Sequence, residues 1–149
     1  MTDIVGKDTR SRMMSGIKGK DTKPEMIVRM RLHALGYRYR LHDKRFPGKP
    51  DLYFPKYDAA IFVNGCFWHR HYCSYFNWPS TRPEFWRDKL EGNAIRDERN
   101  KEYLIGKGIR SLVIWECAIR DKSVTEIDGV IEIAERWLVS GMQSTEIPI

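Results

Sequence analysis

The sequence predicts an α/β domain in which a mixed β-sheet is flanked by helices. A helix-start signal precedes a helical pattern near residue 22, and three strand patterns follow between residues 37 and 63. Two further helical patterns enclose one more apolar strand. The predicted order is therefore helix, three strands, helix, strand, helix, with short loops. A chain of 149 residues fits one domain with a sizeable core.

The first helix is predicted to begin after Thr22, which can cap it, and to end before Gly36. Glu25 stands at the reciprocal position of a capping box, so a purely structural role for this carboxylate is one interpretation. The buried face is predicted to consist of Ile27, Met30, Ala34 and Leu35.

Strand patterns follow the first helix. Residues 37–41 alternate strictly, and the residues predicted to face the core are Tyr37, Tyr39 and Leu41. Residues 51–54 and 59–63 are predicted to form a hairpin across the turn at 55–58. Because residues 59–63 are continuously apolar, this strand is expected at the centre of the sheet, covered on both faces.

The second half contains two helices around one strand. Thr81 begins a second capping pattern, which predicts a helix from there to Gly106. Residues 109–115 form a buried strand pattern, and a last helix is predicted over about 123–139. Its core face is predicted to be Ile127, Val130, Ile131, Ala134, Trp137 and Leu138. Residues 141–149 are expected to be a polar C-terminal tail.

The charge balance suits a polyanionic partner, since 26 Lys and Arg against 20 Asp and Glu give a net charge of +6. Residues 1–21 are expected to be a flexible basic arm, with residues 22–140 as the main domain. Such an arm often lies along a phosphate backbone, although an ordinary solvated terminus has the same composition. Hydrophobic residues make up 42% of the chain, which argues against disorder.

The sequence gives no sign of export or of a membrane span. Residues 1–20 contain no apolar signal-peptide core, and the longest strictly apolar run, 59–63, is far too short to cross a bilayer. Three cysteines, an odd number, favour metal ligation in a reducing compartment over disulfides. We therefore expect a cytoplasmic protein with no membrane partner.

Residues 64–73 concentrate the candidate metal ligands. Cys66, Cys73, His69 and His71 offer thiolate and imidazole, the groups that bind structural Zn²⁺. Cys117 is the remaining cysteine and the natural fourth ligand. The spacing leaves open which histidine binds and leaves the other available for chemistry. The alternative is three buried cysteines that only pack.

Asp51 is the candidate ligand for a second metal. If the predicted hairpin forms, Asp51 lies opposite residues 63–64, where its carboxylate and the Val63 carbonyl could hold Mg²⁺. A turn or capping role is the alternative interpretation. Pro50 and Asp51 also match the opening of the nuclease motif Pro-Asp…(Asp/Glu)-x-Lys, but residues 62–64 supply neither the second carboxylate nor the lysine.

Six motifs occur in one order along residues 7–138. They are Thr9-Arg10-Ser11, Thr22-x-x-Glu25, Pro47-Gly48-x-Pro50-Asp51, Gly65-Cys66-Phe67-Trp68-His69-x-His71-x-Cys73, Thr81-Arg82-x-Glu84-Phe85-Trp86 and Val113-Ile114-Trp115-Glu116-Cys117-Ala118. Together they resemble the very short patch repair endonuclease family. The central motif is highly specific, the ordered combination is more so, and the resemblance covers nearly the whole chain.

This resemblance implies a restriction-endonuclease-like core and an enzyme that nicks double-stranded DNA. The nick falls 5′ to the thymine of a T:G mismatch left by deamination of 5-methylcytosine. By the same resemblance Asp51 and the carbonyl of Val63 bind catalytic Mg²⁺. His69 is the base that activates water, Asp97 orients its imidazole, and Glu25 is a supporting acid.

The resemblance also assigns the remaining site residues. The ligands of a structural Zn²⁺ would be Cys66, His71, Cys73 and Cys117. An aromatic wedge that enters the base stack would comprise Phe67, Trp68 and Trp86, and the arm would contact DNA through Arg10 and Arg12. A monomer associated with the bacterial nucleoid is expected, with mismatch-repair proteins as candidate partners.

Two adjacent positions depart from the family pattern, which has Thr-His before the glycine where this chain has Val63-Asn64. A backbone-carbonyl ligand survives this change. Asn64 cannot act as an acid or base, but it can hydrogen-bond a phosphate or a metal-bound water. Two other functions fit the sequence: a zinc-stapled module that binds mismatches without cutting, and a restriction-type nuclease acting on matched duplex.

Overall fold

A five-stranded mixed sheet forms the centre of the structure, a computed structural model that describes residues 20–148. The strands are β1 (Arg40–Leu41), β2 (Leu52–Phe54), β3 (Ala59–Asn64), β4 (Arg110–Trp115) and β5 (Thr145–Ile147). Their spatial order follows the chain. The pairs β1–β2 and β2–β3 are antiparallel, whereas β3–β4 and β4–β5 are parallel. The prediction of a mixed sheet is confirmed, while Arg10 and Arg12 of the predicted arm lie outside the described residues.

Three helices accompany the sheet: α1 (Lys23–Ala34), α2 (Pro83–Gly106) and α3 (Val124–Ser140), with a short 3₁₀ turn at Glu116–Ala118. Each parallel strand pair needs a crossover connection, which α2 provides between β3 and β4 and α3 provides between β4 and β5. Within residues 20–148, no helix is both long and apolar enough to cross a membrane.

Strand β3 lies at the centre of the sheet and is covered on both faces, as predicted. Ala59 and Ile61 belong to the larger core, which α1 and α3 complete on one face. Ala60 points to the other face, where it packs with Leu104 of α2 and Ile109. Because residues alternate across a strand, an apolar run is required to fill both sides.

Helix α3 matches its prediction closely. Ser123 and Glu126 form a reciprocal capping box at its start, and Gly141 ends it in the left-handed conformation at φ 72°. The six residues predicted for its core face, Ile127, Val130, Ile131, Ala134, Trp137 and Leu138, are all buried. This face covers one side of the sheet.

The predicted face of α1 is wrong. Its buried residues are Glu25, Val28 and Leu32. Met30 is 61% exposed and Leu35 54% exposed, while Ala34 is exposed and Ile27 is partly buried. The Thr22 side chain caps the helix by accepting from the N–H of Glu25, as predicted. The Glu25 carboxylate accepts from the N–H of Asp21 and points inward, so the buried face is centred on it.

The first strand is shorter than predicted, because only Arg40–Leu41 pair with β2. Tyr37 and Tyr39 pack against the core as expected. Their hydroxyls donate to a carboxylate oxygen of Glu135 and to the carbonyl of Arg29, so helices rather than a sheet neighbour hold them. Leu41, predicted to face the core, is 43% exposed at the edge of the sheet.

Two chain segments depart from the sequence prediction in other ways. Helix α2 begins after Arg82, which has a left-handed φ of 53° and makes no capping hydrogen bond, so Thr81 is not its cap. Residues 141–149, predicted as a tail, contribute β5. The guanidinium of Arg110 donates to the carbonyls of Trp137 and Met142, which fixes the chain leading into this strand.

Candidate active site and metal centre

The β2–β3 hairpin brings Asp51 beside the end of β3, as predicted. Its Oδ2 accepts a hydrogen bond from the N–H of Val63 at 2.7 Å, and its side chain is 19% exposed. Burial raises the pKa of Asp51 to about 7, and the neighbouring Glu25 acts in the same direction, while the Val63 N–H opposes the shift. The carboxylate therefore needs a nearby positive charge to stay ionised near neutral pH.

Glu25 lies behind Asp51 and is only 1% exposed. Its Oε2 accepts from Arg29 at 2.9 Å and lies 2.9 Å from Nε2 of His42. The same His42 nitrogen is 3.7 Å from Oδ1 of Asp51. Arg29 also reaches Asp21 at 2.6 Å. We call Asp21, Glu25, Asp51, Arg29 and His42 the carboxylate cluster.

The carboxylate cluster presents Asp51 to a large cleft of about 1360 Å³. Ligand atoms of Asp21, Glu25 and His42 lie within 4.8 Å of one another, but the Arg29 guanidinium already supplies positive charge to both acids. Asp51 and Val63 line the cleft. A partly exposed carboxylate beside backbone and substrate oxygens would suit Mg²⁺, which keeps several waters and uses few protein ligands.

His69 and Asp97 form a hydrogen-bonded pair in the same cleft. Nδ1 of His69 lies 2.5 Å from Oδ2 of Asp97, which α2 carries. When Asp97 accepts the Nδ1 proton, Nε2 on the opposite edge of the ring keeps its lone pair. The pair can therefore accept a proton from a water molecule in the cleft.

Residues 65–73, which we call the cluster loop, are fixed by a hydrogen bond within the loop and by two hydrogen bonds to other segments. The N–H of His71 donates to the carbonyl of Cys66 at 2.9 Å. Asn93 of α2 donates to the Trp68 carbonyl at 2.9 Å, and Glu116 accepts from the N–H of Cys66 at 3.1 Å. These contacts fix the backbone of the loop that carries His69 and His71.

Four candidate metal ligands converge at one end of the cluster loop. Ligand atoms of Cys66, His71, Cys73 and Cys117 lie within 4.8 Å of one another, and the three cysteines are not joined by disulfides. The ring of His71 stacks on Trp115 at 4.1 Å, with Nδ1 3.7 Å from Sγ of Cys117. His71, rather than His69, is the histidine brought to the cysteines.

The chemistry of this group fits zinc. Burial raises the pKa of the Cys66 and Cys117 thiols and lowers the pKa of His71. Neighbouring thiolates repel one another, so three of them beside a neutral imidazole need a cation to stay ionised. A zinc ion binds thiolates and a neutral imidazole with tetrahedral geometry, so the donor number and type match.

The predicted wedge residues form an aromatic cluster beside the cleft. Phe67 contacts Trp68 and Trp86 with ring centroids 5.1 and 5.4 Å apart, and the two tryptophans are 5.9 Å apart. All three are partly exposed, while Phe85 is 43% exposed. The cleft beside them carries more Lys and Arg than Asp and Glu, which favours a polyanionic ligand.

Sequence reasoning did not find His42 or Arg29. The available signal was a histidine directly after the strand predicted to precede the Asp51 hairpin. Arg29 stands four residues after Glu25 on one helix, the spacing of an ion pair. Both signals are weak without the pairing of β1 with β2.

Known proteins resemble the chain over most of its length. A family model described as DNA mismatch endonuclease Vsr matches residues 2–75. The DNA mismatch endonuclease Vsr of Escherichia coli (strain K12) is 37% identical over 147 residues, covering 99% of this chain and 94% of that protein. The type II nicking enzyme V.XorIIP of Xanthomonas oryzae pv. oryzae is 41% identical over 126 residues, 85% of this chain and 93% of that one.

These similarities establish an enzyme that hydrolyses phosphodiester bonds of DNA, which confirms the predicted enzyme class. The chain belongs to the DNA mismatch endonuclease Vsr family, because the Escherichia coli relative shares 37% of residues over nearly the whole chain. The family resemblance seen in the sequence is thereby confirmed. A second nicking enzyme, V.NmeAIP of Neisseria meningitidis, is 41% identical over 124 residues, 83% of this chain and 89% of that one.

Proposed function

We propose that the protein is a Mg²⁺-dependent endonuclease that nicks one DNA strand 5′ to the thymine of a T:G mismatch. The observation that carries this proposal is that Asp51 and the His69–Asp97 pair line one basic cleft. Family membership supplies the mismatch-directed endonuclease activity. The antiparallel hairpin followed by parallel β4, with Asp51 at the hairpin, supports a restriction-endonuclease-like core.

Asp51 and the Val63 carbonyl would hold Mg²⁺, which offsets the charge of the scissile phosphate and lowers the pKa of bound water. The Val63 N–H orients the Asp51 carboxylate through Oδ2. Behind it, Glu25 adds negative charge that Arg29 and His42 partly balance. This arrangement keeps one acidic ligand at the cleft surface.

His69 accepts the proton of the attacking water at Nε2. Asp97 holds the ring through Nδ1 and stabilises the imidazolium that forms. Water adds to phosphorus, the P–O bond to the sugar breaks, and the leaving oxygen takes a proton from solvent water, which leaves one phosphate end and one hydroxyl end. Asn64, at the end of β3, lines the same cleft and can hydrogen-bond a phosphate oxygen.

Zinc would be held by Cys66, His71, Cys73 and Cys117, where it supplies a cross-link and no catalysis. This cross-link ties the cluster loop to the chain directly after β4. Since His69 lies inside the cluster loop, the link also limits how far its imidazole can move. The structural metal thereby supports the catalytic pair.

The aromatic cluster of Phe67, Trp68 and Trp86 would insert beside the mismatch. Mismatched steps cost less to unstack, so rigid aromatic side chains select for deformable sites. Residues 1–21, with Arg10 and Arg12, would lie along the duplex. The nuclease domain spans residues 22–140 and is completed by β5.

A nicking assay on two duplexes tests the proposal. The protein is incubated with a T:G duplex or the matched C:G duplex, in Mg²⁺ or EDTA. We expect a single nick in the T:G duplex that requires Mg²⁺. Asp51→Ala should bind the T:G duplex without nicking it, whereas Asp88→Ala, which removes an exposed carboxylate of α2, should nick normally.

Each alternative gives a different outcome. Binding of the T:G duplex without a nick under every metal condition would favour a zinc-stapled mismatch-binding module. Equal cleavage of matched and mismatched duplex would favour a restriction-type nuclease. Normal nicking by Asp51→Ala would remove Asp51 from the mechanism.

A further inference from the structure

His42 contacts Asp51 through both its backbone and its ring. Its N–H donates to the Asp51 carbonyl at 3.1 Å, and its ring nitrogen Nε2 lies 3.7 Å from Oδ1 of the same residue. His42 has a left-handed φ of 47°, a conformation that histidine adopts more readily than most residues. The turn after β1 therefore places the imidazole against the candidate metal ligand.

The same ring also contacts the buried acid behind the site. Nε2 of His42 is 2.9 Å from Oε2 of Glu25, whose side chain is 2% exposed. Glu25 also makes a direct side-chain contact with Asp51, so the two carboxylates are neighbours and the ring of His42 lies against both. Arg29 forms ion pairs with both Asp21 and Glu25. His42 contacts Glu25 and lies beside Asp51.

We infer that His42 is a positioning residue for the nicking reaction: its ring nitrogen lies against both Glu25 and Asp51 and sets the orientation of the Asp51 carboxylate in the cleft. This inference rests on the proposed function. The imidazole can donate from Nε2 to the Glu25 carboxylate 2.9 Å away whether the ring is neutral or charged, provided that Nε2 carries a proton. The N–H of Val63 fixes Oδ2 of Asp51 by a hydrogen bond, and the His42 ring packs 3.7 Å from Oδ1, where it limits rotation of the carboxylate.

This arrangement distinguishes His42 from a residue that only supports folding. Its ring is 15% exposed at the cleft and is absent from both hydrophobic cores. Removing the ring leaves the Val63 bond intact but frees the carboxylate to rotate about it. Metal binding and the nicking rate should fall by more than any loss of stability explains, and DNA affinity should not change.

The test compares His42→Ala with His42→Gln, whose amide keeps a donor near the ring nitrogen. His33→Ala is the matched control, since His33 is an exposed histidine in the last turn of α1. Single-turnover nicking of the T:G duplex is measured across a Mg²⁺ series. Mn²⁺ binding to the DNA-free protein is followed by electron paramagnetic resonance, with DNA affinity in EDTA and thermal unfolding as further readouts.

We expect His42→Ala to lower the nicking rate and weaken Mn²⁺ binding by about 10-fold or more, the usual effect of losing an outer-shell partner. His42→Gln should recover most of both losses. DNA affinity should match that of His33→Ala, and the protein should remain folded at the assay temperature. Unchanged rate and Mn²⁺ affinity in His42→Ala would overturn the inference, as would a loss that only follows a lower melting temperature. A wild-type protein that does not nick would refute the proposed function, and Mn²⁺ binding would then decide the role of His42.

Discussion

Replacing Asp97 with asparagine tests the proposed catalytic pair directly. The substitution keeps the size of the side chain and its position on α2, but it removes the negative charge facing Nδ1 of His69 at 2.5 Å. An asparagine amide can also donate to the ring, which would place the proton on the wrong nitrogen for accepting one from water. The expected result is slower chemistry with DNA binding retained.

The size of the effect follows from the hydrogen bond. A bond to a charged partner contributes about 1.5–3 kcal/mol, which is about 10- to 150-fold in rate. His69 and Asp97 have side chains 30% and 36% exposed, so water screens part of the interaction. We therefore expect a loss in the lower part of this range, about 10- to 30-fold.

Single-turnover nicking of the T:G duplex, with enzyme in excess, measures this loss without product release. Asp88→Asn is the matched control, because Asp88 is an exposed carboxylate on the same helix. Asp97→Asn should bind the duplex as tightly as the control. A rate equal to that of wild type would refute the pairing argument, and a loss of DNA affinity without a change in rate would assign Asp97 to binding instead.

Four other substitutions test the candidate metal centre, the core and the candidate Mg²⁺ ligand. His71→Ala should lose bound zinc and thermal stability, whereas His69→Ala should keep its zinc and lose nicking; elemental analysis and melting curves measure both. Trp137→Ala should cost about 3–5 kcal/mol in urea unfolding, because this side chain is 0% exposed and its indole donates to the Gln143 carbonyl at 2.9 Å. Without metal, the raised pKa of Asp51 favours folding at low pH, and this stability is lost as pH rises from 3.8 through about 7. Asp51→Asn should flatten that slope, and its free energy of unfolding should exceed that of wild type by up to about 4 kcal/mol at pH 8.

Each of these expectations can fail separately. Zinc loss in His69→Ala would exchange the roles of the two histidines. A cost below about 1 kcal/mol for Trp137→Ala would place α3 outside the main core. If metal-free Asp51→Asn loses stability with rising pH as steeply as the wild type does, a group other than Asp51 causes that loss.

Periodic patterns predicted the parts of the fold that bury apolar surface. The face of α3 was read correctly because its apolar residues repeat at helical spacing and nothing polar competes for the core. The face of α1 was misread because Glu25, a charged residue, is buried there against Arg29 and His42. Burial of a charge depends on partners from elsewhere, which a local pattern cannot supply.

Long-range pairing explains the other differences. Strand β5 has only three residues, too few for an alternating pattern to predict it. The chain before it is fixed by the Arg110 guanidinium, which donates to the carbonyls of Trp137 and Met142. The contact between His42 and Asp51 exists only once β1 pairs with β2. By contrast, three of the four candidate zinc ligands lie within residues 66–73, and their types indicated a metal site directly. The structure then showed which of its histidines meets the cysteines.

The four zinc-ligand candidates become available at different times during synthesis. Cys66, His71 and Cys73 emerge together in the cluster loop, but Cys117 follows only after α2 and β4 have been made. A nascent chain therefore cannot close this centre until the parallel β3–β4 pair can form. Since domains fold as units from the N-terminal side during translation, a ribosome stalled within α2 would hold the Asp51 hairpin without the cross-link that fixes His69. The enzyme would acquire its catalytic geometry late, when most of the domain has already left the ribosome.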